Sequence, residues 1–357
     1  MEKAILLAVK FPGDRNFAAN IAELQSLAAT AGAEIKEVLS QARDKPDYQY
    51  FIGKGKLSEL QNLVISARVN LVIVDFDLNP TQQRNLEEAV KVKVIDRTQL
   101  ILDIFAQHAT SHEGIIQVEL AQLEYTLPRL AGLWPHLSRL GGGIGTRGPG
   151  ERQIEVDRRI IKQKMSRLKD ELKHLQKSRA LRREKRRGSN IPTAAIIGYT
   201  NAGKSSLLNS LTDAKVNVED KLFATLDPVT RRYFLPDGQN ILLTDTVRFI
   251  QKLPHQLVDA FHTTLEEVTE ADLLLHVVDI SHPAACDQAK AVYRVLEELK
   301  ATAIPIITVL NKVDLIESKH KVNNELKQKP YVYCSAQQKS GLDELAGAME
   351  KTLKKLP

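Results

Sequence analysis

Residues 193–206 read Thr193-Ala194-Ala195-Ile196-Ile197-Gly198-Tyr199-Thr200-Asn201-Ala202-Gly203-Lys204-Ser205-Ser206. An apolar run suited to a buried strand leads into G-x-x-x-x-G-K-[ST], and Ser206 to Leu211 suits the opening of a helix. Gly198 and Gly203 let the backbone curl until successive N–H groups face one anion. Lys204 adds a positive charge near the β- and γ-phosphates, and Ser205 offers a hydroxyl to Mg²⁺. Strand, glycine-bearing turn and helix in this order predict a P-loop. Gly198, Tyr199, Thr200, Asn201, Ala202, Gly203, Lys204, Ser205 and Ser206 are its expected contacts with a nucleoside triphosphate.

Downstream, Asn311-Lys312-Val313-Asp314 follows the apolar run Ile306–Leu310 and selects the base. The Asp314 carboxylate can accept from guanine N1–H and the 2-amino group. Adenine presents neither and would leave a buried carboxylate unpaired. Asn311 is expected to tie this loop to the phosphate loop, and the Lys312 stem to cover the base. Ser335-Ala336 follows the next strand and suits a backbone N–H aimed at guanine O6. Between these motifs, Thr225 in Phe223–Pro228 is a candidate second hydroxyl on Mg²⁺. Asp245, at the end of the strand Ile241–Thr244, is a candidate to hold that ion through water. The metal set is therefore Ser205, Thr225 and Asp245, and the ligands are GTP or GDP with Mg²⁺.

Residues 191–357 read as one domain. Apolar runs at Ala194–Ile197, Asn240–Thr244, Leu273–Val278, Ile306–Leu310 and Tyr331–Cys334 alternate with helical patterns, which predicts a mainly parallel sheet covered on both faces. Residues 1–97 predict a second, small α/β domain. Its strands are Ile5–Val9, Ile35–Leu39, Leu71–Asp75 and Val92–Ile95; its helices are Asn16–Thr30, Lys56–Ala67 and Thr81–Val90. Gly53-Lys54-Gly55-Lys56 precedes one of these helices and could meet an anion there, although a plain loop fits the same letters.

Residues 98–190 differ from both. A mostly helical stretch runs to residue 131, and then six glycines fall within positions 141–150, which no regular element accommodates. Arg129, Arg139, Arg147 and Arg152 flank this loop and favour contact with RNA. Ile154, Ile161, Leu168 and Leu175 then recur every seven residues, with Met165 and Leu172 between them, as the seam of a long helix. The predicted element is a long antiparallel helical hairpin with the Gly-rich loop at its tip. From Glu151 to Asn190 there are fifteen Lys/Arg and six Asp/Glu, a local charge of +9, so the rest of the +6 chain carries −3. Such a stripe, ending in Arg182-Arg183-Glu184-Lys185-Arg186-Arg187, is an electrostatic footprint for nucleic acid or a solvated helical face.

At 357 residues the chain has room for two or three domains. It has no run of eighteen apolar residues and no signal peptide, so a cytoplasmic protein without a membrane span is expected. The two cysteines, Cys286 and Cys334, have no metal spacing and suit a reducing compartment. His108, His112, His255 and His262 form no metal set. Trp134 beside Pro135 suits stacking on RNA or packing within the hairpin equally.

With these motifs assembled, the chain resembles the HflX GTPases of the translation-factor-related class over nearly its whole length. The resemblance is carried by Ile52–Lys56, Leu140–Glu151, Gly198–Ser205, Phe223–Pro228, Asp245–Ile250, Leu253–Pro254 and Asn311–Asp314. It implies GTP hydrolysis coupled to the large ribosomal subunit, with the basic hairpin and its loop entering near the peptidyl-transferase centre. It implies splitting or rescue of ribosomes under stress, and in some relatives ATP bound by the N-terminal domain, for which Gly53–Lys56 is the place to look. A monomer is expected. Hydrolysis incidental to a nucleotide-gated RNA-binding or ribosome-assembly module is the alternative, and an RNA remodeller acting on free RNA is a weaker third.

The chain departs from the family's D-x-x-G at its fourth position, where Asp245-Thr246-Val247-Arg248 carries arginine. Glycine there gives its N–H to the γ-phosphate and lets the loop change φ. Arg248 either damps the switch or brings a compensating cation to the phosphates. Phe249 stands where many GTPases have a water-orienting glutamine, an apolar substitution the family shares, so unassisted hydrolysis should be slow. The chain ends soon after the last helix of the GTPase domain, and the further C-terminal domain of some relatives is not expected.

Overall fold

The computed structural model describes residues 2–355 except 15, 133–148, 188–190, 213–228, 247–266, 318–321 and 328–329; side chains of 131–132, 149–153 and 179–187 are also left aside. The glycines of the tip loop up to Gly148, Trp134, Arg139, Arg147, Thr225, Arg248, Phe249, Leu253–Pro254, His255 and His262 therefore lie outside the described residues, and so does the side chain of Arg152. The chain separates into two compact units, residues 1–107 with 115–173 and residues 108–114 with 174–357.

The first unit begins with β1 (Glu2–Lys10), α1 (Phe17–Thr30), β2 (Ala33–Ala42), α2 (Lys54–Ser66), β3 (Leu71–Val74), α3 (Pro80–Val90) and β4 (Lys93–Asp96). The strands form a parallel sheet in the order β2-β1-β3-β4. β1 and β3 lie in its interior, and Ala4–Val9 and Leu71–Val74 are buried without alternation. A parallel strand covered on both faces needs such a continuous apolar run. Asn79-Pro80 starts α3 sharply. The Asn79 side chain accepts from the Gln82 N–H, the Gln82 side chain answers the Asn79 N–H, and proline fills the first helical position.

α4 (Arg97–His108) and α5 (His112–Thr126) follow, then a 3-10 turn at Leu127–Gly132 and the long helix α6 (Pro149–Arg187). α5 and α6 are bridged by ion pairs Lys164–Glu119 and Lys169–Glu124, which advance in the same direction along both helices and so do not have the order of the antiparallel hairpin that the sequence predicts. The heptad reading describes α6 well. Leu168 and Leu172 are buried and Ile154, Ile161, Met165 and Leu175 are partly so, whereas Arg158, Arg159, Lys162, Lys164, Arg167, Lys169, Lys173 and Lys177 are exposed. The seam takes up most of the apolar positions, Val156 and Ile160 stay exposed, and the cations lie at the surface, two of them paired with α5.

The second unit contains β5 (Thr193–Gly198), α7 (Lys204–Thr212), β6 (Val229–Phe234), β7 (Asn240–Asp245), β8 (Leu273–Asp279), α8 (Ala285–Glu298), β9 (Ile306–Asn311), β10 (Tyr331–Tyr333) and α9 (Leu342–Leu353). Its six-stranded sheet has the order β10-β9-β8-β5-β7-β6 and is parallel except for β6, which runs antiparallel to β7. β6 is absent from the sequence reading. Its polar letters Val229-Thr230-Arg231-Arg232-Tyr233-Phe234 reflect a half-exposed edge strand rather than a buried one. Leu207, Leu208, Leu345 and Met349 from α7 and α9 pack on one face of the sheet, against Ile196, Leu275, Val277 and Val309.

Candidate functional site

β5 is central in this sheet, and the chain leaves it toward α7 at the carboxyl end, where parallel sheets bind ligands. The turn there is built by close approaches. A Cβ on Gly198 would lie 2.3 Å from the Val277 carbonyl oxygen of the neighbouring β8. A Cβ on Gly203, at φ +95°, would lie 2.3 Å from the Asn311 side-chain nitrogen. Asn201 between them is also left-handed, at φ +60°. Both motif glycines are therefore required by contact as well as by backbone conformation.

Lys204, buried, donates from Nζ to the carbonyls of Gly198 (2.6 Å) and Tyr199 (2.8 Å), so the ammonium is held inside the loop. Ser205 Oγ donates to Asp245 Oδ2 at 2.7 Å, and Asp245 is fully buried at the end of β7. A hydroxyl and a carboxylate from two separate motifs thus meet beside the phosphate loop, a hard-oxygen pair of the chemistry Mg²⁺ takes when phosphates supply the rest of its shell. Among the described residues no group of three or more His, Cys, Asp or Glu could hold a metal by itself. Thr225, Arg248 and Phe249 cannot be placed relative to this pair.

The base-reading motif is joined to the phosphate loop through one side chain. Asn311 Nδ2 donates to the Ala202 carbonyl at 2.8 Å, and Asn311 Oδ1 accepts from the Ala336 N–H at 3.0 Å. One amide therefore ties together the P-loop, the Asn311–Asp314 segment and the Ser335-Ala336 segment. The sequence reading aims a backbone N–H of Ser335-Ala336 at guanine O6; in the structure the Ala336 N–H donates to Asn311 and the Ser335 N–H to the Ser340 carbonyl. Ser335 is fully buried and its Oγ accepts from the Gln338 N–H. Gly341, at φ +75°, lets the chain pass so close that a Cβ would lie 2.1 Å from the Tyr333 carbonyl.

Asp314 sits in a 3-10 turn, Val313–Leu315, with Oδ1 buried and lacking a hydrogen-bond partner among the described residues. An orphaned carboxylate oxygen in a loop is costly unless a ligand completes it. Guanine N1–H and the 2-amino group are donors of the required kind. Lys312, left-handed at φ +64°, is held by Asp279 Oδ2 at 2.6 Å, and Asp279 Oδ1 accepts from Ser281 N and Oγ. Sequence reasoning passed over Asp279. The available signal was an acidic residue ending the strand beside the one that carries the base motif, in register with Asn311.

In the first unit the arginine picture changes. Arg129 donates from Nε to Gln83 Oε1 (2.8 Å), from Nη1 to the Tyr125 carbonyl (2.9 Å), and from Nη2 to the Leu78 carbonyl (2.8 Å) and Asp96 (3.3 Å). Its guanidinium also lies 3.5 Å from the Tyr125 ring centroid. Arg129 is thus a half-buried strut against Gln83, Leu78 and Asp96, with its guanidinium engaged inside the protein rather than offered to RNA. Gly53 is extended at φ −73°, and its N–H is already taken by Gln41 Oε1 at 3.0 Å. Lys56 pairs with Glu59 at 2.6 Å.

Comparison with known proteins covers both units. Residues 18–106 match the family described as GTP-binding GTPase N-terminal, residues 108–186 its middle region, and residues 193–312 the 50S ribosome-binding GTPase family. A GTPase HflX from Caldanaerobacter subterraneus is 52% identical over 353 residues, covering 99% of this chain and 81% of that one. The GTPase HflX of Escherichia coli K12 is 43% identical over 354 residues, covering 99% and 83%. Among solved structures, the complex of SsGBP with GDP superposes with a TM-score of 0.54 at 26% identity over 99% of both chains.

Proposed function

This chain belongs to the HflX family of GTPases, a GTP-binding and GTP-hydrolysing protein that associates with the ribosome, and from that premise we propose how its residues divide the work. The P-loop from Gly198 to Ser206 holds the phosphates, with Lys204 as its cation. Asp314 reads the guanine edge, Asn311 locks the base loop to the phosphate loop, and Lys312 covers the base. Ser205, Asp245 and Thr225 hold Mg²⁺, which supplies positive charge against the phosphate oxygens. In hydrolysis a water oxygen bonds to the γ-phosphorus while the bond from γ-phosphorus to the bridging oxygen breaks, releasing GDP and phosphate. Phe249 has no group that could orient that water, so turnover depends on order imposed from outside.

The ribosomal contact runs through the hairpin 98–190 to rRNA of the large subunit, and its outcome is the splitting or rescue of ribosomes under stress. The observation that carries this reading is the run of exposed cations along α6 beside its buried leucines. A helix that buries Leu168 and Leu172 and exposes eight cations from Arg158 to Lys177, two of them paired with α5 carboxylates, suits a polyanion. The domains 1–97, 98–190 and 191–357 then serve as adaptor, reader and engine of a cytoplasmic monomer. No helix among the described residues is long and apolar enough to cross a membrane. ATP at Gly53–Lys56 has weaker support, because Gln41 and Glu59 already engage Gly53 and Lys56.

GTP turnover measured with and without purified large subunits tests the reading. Stimulation that disappears in Lys204→Ala is expected. Neutralising Arg182, Arg183, Arg186 and Arg187 should lower the salt dependence of ribosome binding by up to about four in log–log slope. Absence of stimulation would favour a nucleotide-gated RNA-binding or assembly module, a reading motivated by Arg248 in place of glycine. Arg248→Gly then separates the two roles of that arginine. Faster stimulated turnover means that arginine damps the switch; slower turnover means that it supplies a cation.

A further inference from the structure

We infer that Asp279, a carboxylate outside the base-reading motif, is a positioning residue for guanine binding, a role that rests on Lys312 covering the base as proposed above. It fixes the Lys312 side chain in place before the nucleotide arrives. β8 and β9 bring the two residues together. Asp279 closes β8 in register with Asn311 of β9, and one step further on the Ile280 N–H donates to the Asn311 carbonyl at 3.2 Å. Lys312 is the first residue to leave this ladder, and it does so at φ +64°. A left-handed lysine is uncommon and persists only where its surroundings impose it. Its Nζ donates to Asp279 Oδ2 at 2.6 Å, and the lysine and aspartate side chains are only 25% and 12% exposed. The pair lies mostly out of water, where a charge-assisted hydrogen bond is stronger than at an open surface.

Asp279 is itself held. Its Oδ1 accepts from the Ser281 N–H at 3.0 Å and from Ser281 Oγ at 2.5 Å, so one oxygen is bound to the turn after β8 and the other is given to Lys312. On its flexible four-carbon stem the ammonium would otherwise sample many rotamers, and the ordering that a bound base demands would subtract from affinity. Here that ordering is completed on folding. The pairing also neutralises the ammonium, so the stem meets the base as hydrocarbon rather than as a cation free to swing toward phosphate oxygens. The edge contacts belong to a different side chain, Asp314 in the turn Val313–Leu315. Asp279 thus sets how firmly a base is held, and Asp314 sets which base it is.

Asp279→Asn is isosteric and separates the two oxygens. With its amide oxygen toward the two Ser281 donors it keeps the turn, and its NH2 then faces the ammonium with no lone pair to offer. The full chain is titrated with GDP and with inosine diphosphate, which presents the same face to Lys312 but lacks the 2-amino donor that Asp314 takes. Asp279→Asn should weaken both nucleotides about tenfold and leave the ratio of their affinities unchanged. Lys312→Ala should weaken both as well. Adding Asp279→Asn to Lys312→Ala should change either affinity by less than about twofold, because the carboxylate then has no lysine to place. Loss of the preference for GDP in Asp279→Asn would mean that the whole base loop, Asp314 included, is disturbed, and would overturn the assignment. So would a tenfold effect that persists in the double variant, or GDP affinity that falls in Lys312→Ala but not in Asp279→Asn. Unchanged GDP binding in Lys312→Ala would instead remove Lys312 from the base site, and with it the covering role proposed above.

Discussion

The chain holds two parallel sheets, and each sends a glycine-and-lysine segment into a helix, yet only one of these segments is shaped to grip an anion. At Gly198–Ser205 the glycines are pressed against neighbouring strands and loops. Gly198 lies against Val277, Gly203 lies against Asn311, and Lys204 folds back onto the loop carbonyls. At Gly53–Lys56 only Gly53 is extended, a Cβ on it would meet the Arg43 side chain at 2.7 Å, and Gly55, already inside α2, has nothing within 4 Å of its missing side chain. The left-handed residue on that side is Phe51, at φ +66° and buried against Phe11 and Phe76. There the unusual backbone serves packing, because Phe51 exchanges both backbone hydrogen bonds with Asp47 and delivers the chain into α2. The lesson is that a phosphate loop is recognised by what surrounds its glycines, not by their presence.

The largest effect should come from breaking that surround. Gly203→Val places a branched side chain at φ +95° into the Asn311 amide, and nucleotide affinity should fall at least about a hundredfold, roughly 3 kcal/mol. Gly55→Val in α2 meets no neighbour and should leave GTP affinity unchanged, at a stability cost below about 1 kcal/mol. Equilibrium GDP titration of both variants decides the matter, and equal losses would dissolve the contrast.

Arg129→Ala extends the comparison to the half-buried cation beside buried Asp96. It removes the donors to Gln83, Tyr125 and Leu78 and leaves the fully buried Asp96 without its cation. Burial already holds the Asp96 pKa above the usual carboxylate range. Urea unfolding should show a loss of about 3 kcal/mol, with the salt dependence of ribosome binding unchanged. An unchanged stability with a lowered salt slope would return Arg129 to the RNA-facing set.

The two sheets also treat buried polar groups differently, and pH reports the difference. In the first unit, Arg97 is buried but paired with Asp75 at 2.9 Å and with Glu23. In the second, His276 is buried and neutral, with a pKa lowered from 6.5 to about 4. The unfolded chain therefore takes up this proton first as pH falls through about 6.5, so stability declines until about pH 4 and then levels. Between about pH 7 and about pH 5 this histidine accounts for a loss of about 2 kcal/mol. His276→Phe should lose that much less over the same interval in denaturant unfolding. An equal pH response in both proteins would mean that His276 is protonated as readily folded as unfolded.

The nucleotide grip was legible because it is local. Glycine spacing, the lysine and the flanking apolar run suffice to foretell a strand, a turn and a helix at residues 193–211, and Asn311–Asp314 foretells guanine in the same way. The strands of both sheets were legible because burial on two faces demands continuous apolar runs, and β6 was missed because an edge strand makes no such demand. Arg129 was misjudged for a related reason. Charge is a property of the letter, but whether a guanidinium faces solvent or Asp96 depends on residues 33 and more positions away.

The sequence by itself determined the buried strands of both sheets, which base is read and where the basic stripe lies, since each depends on side chains a few positions apart. Only the tertiary structure decided that Ser205 meets Asp245, that one Asn311 amide binds Ala202 and Ala336 together, and that His276 is left unpaired behind the sheet. Those are contacts between strands and loops remote along the chain. Their energies depend on separations of a few ångströms, which no periodicity in the sequence encodes.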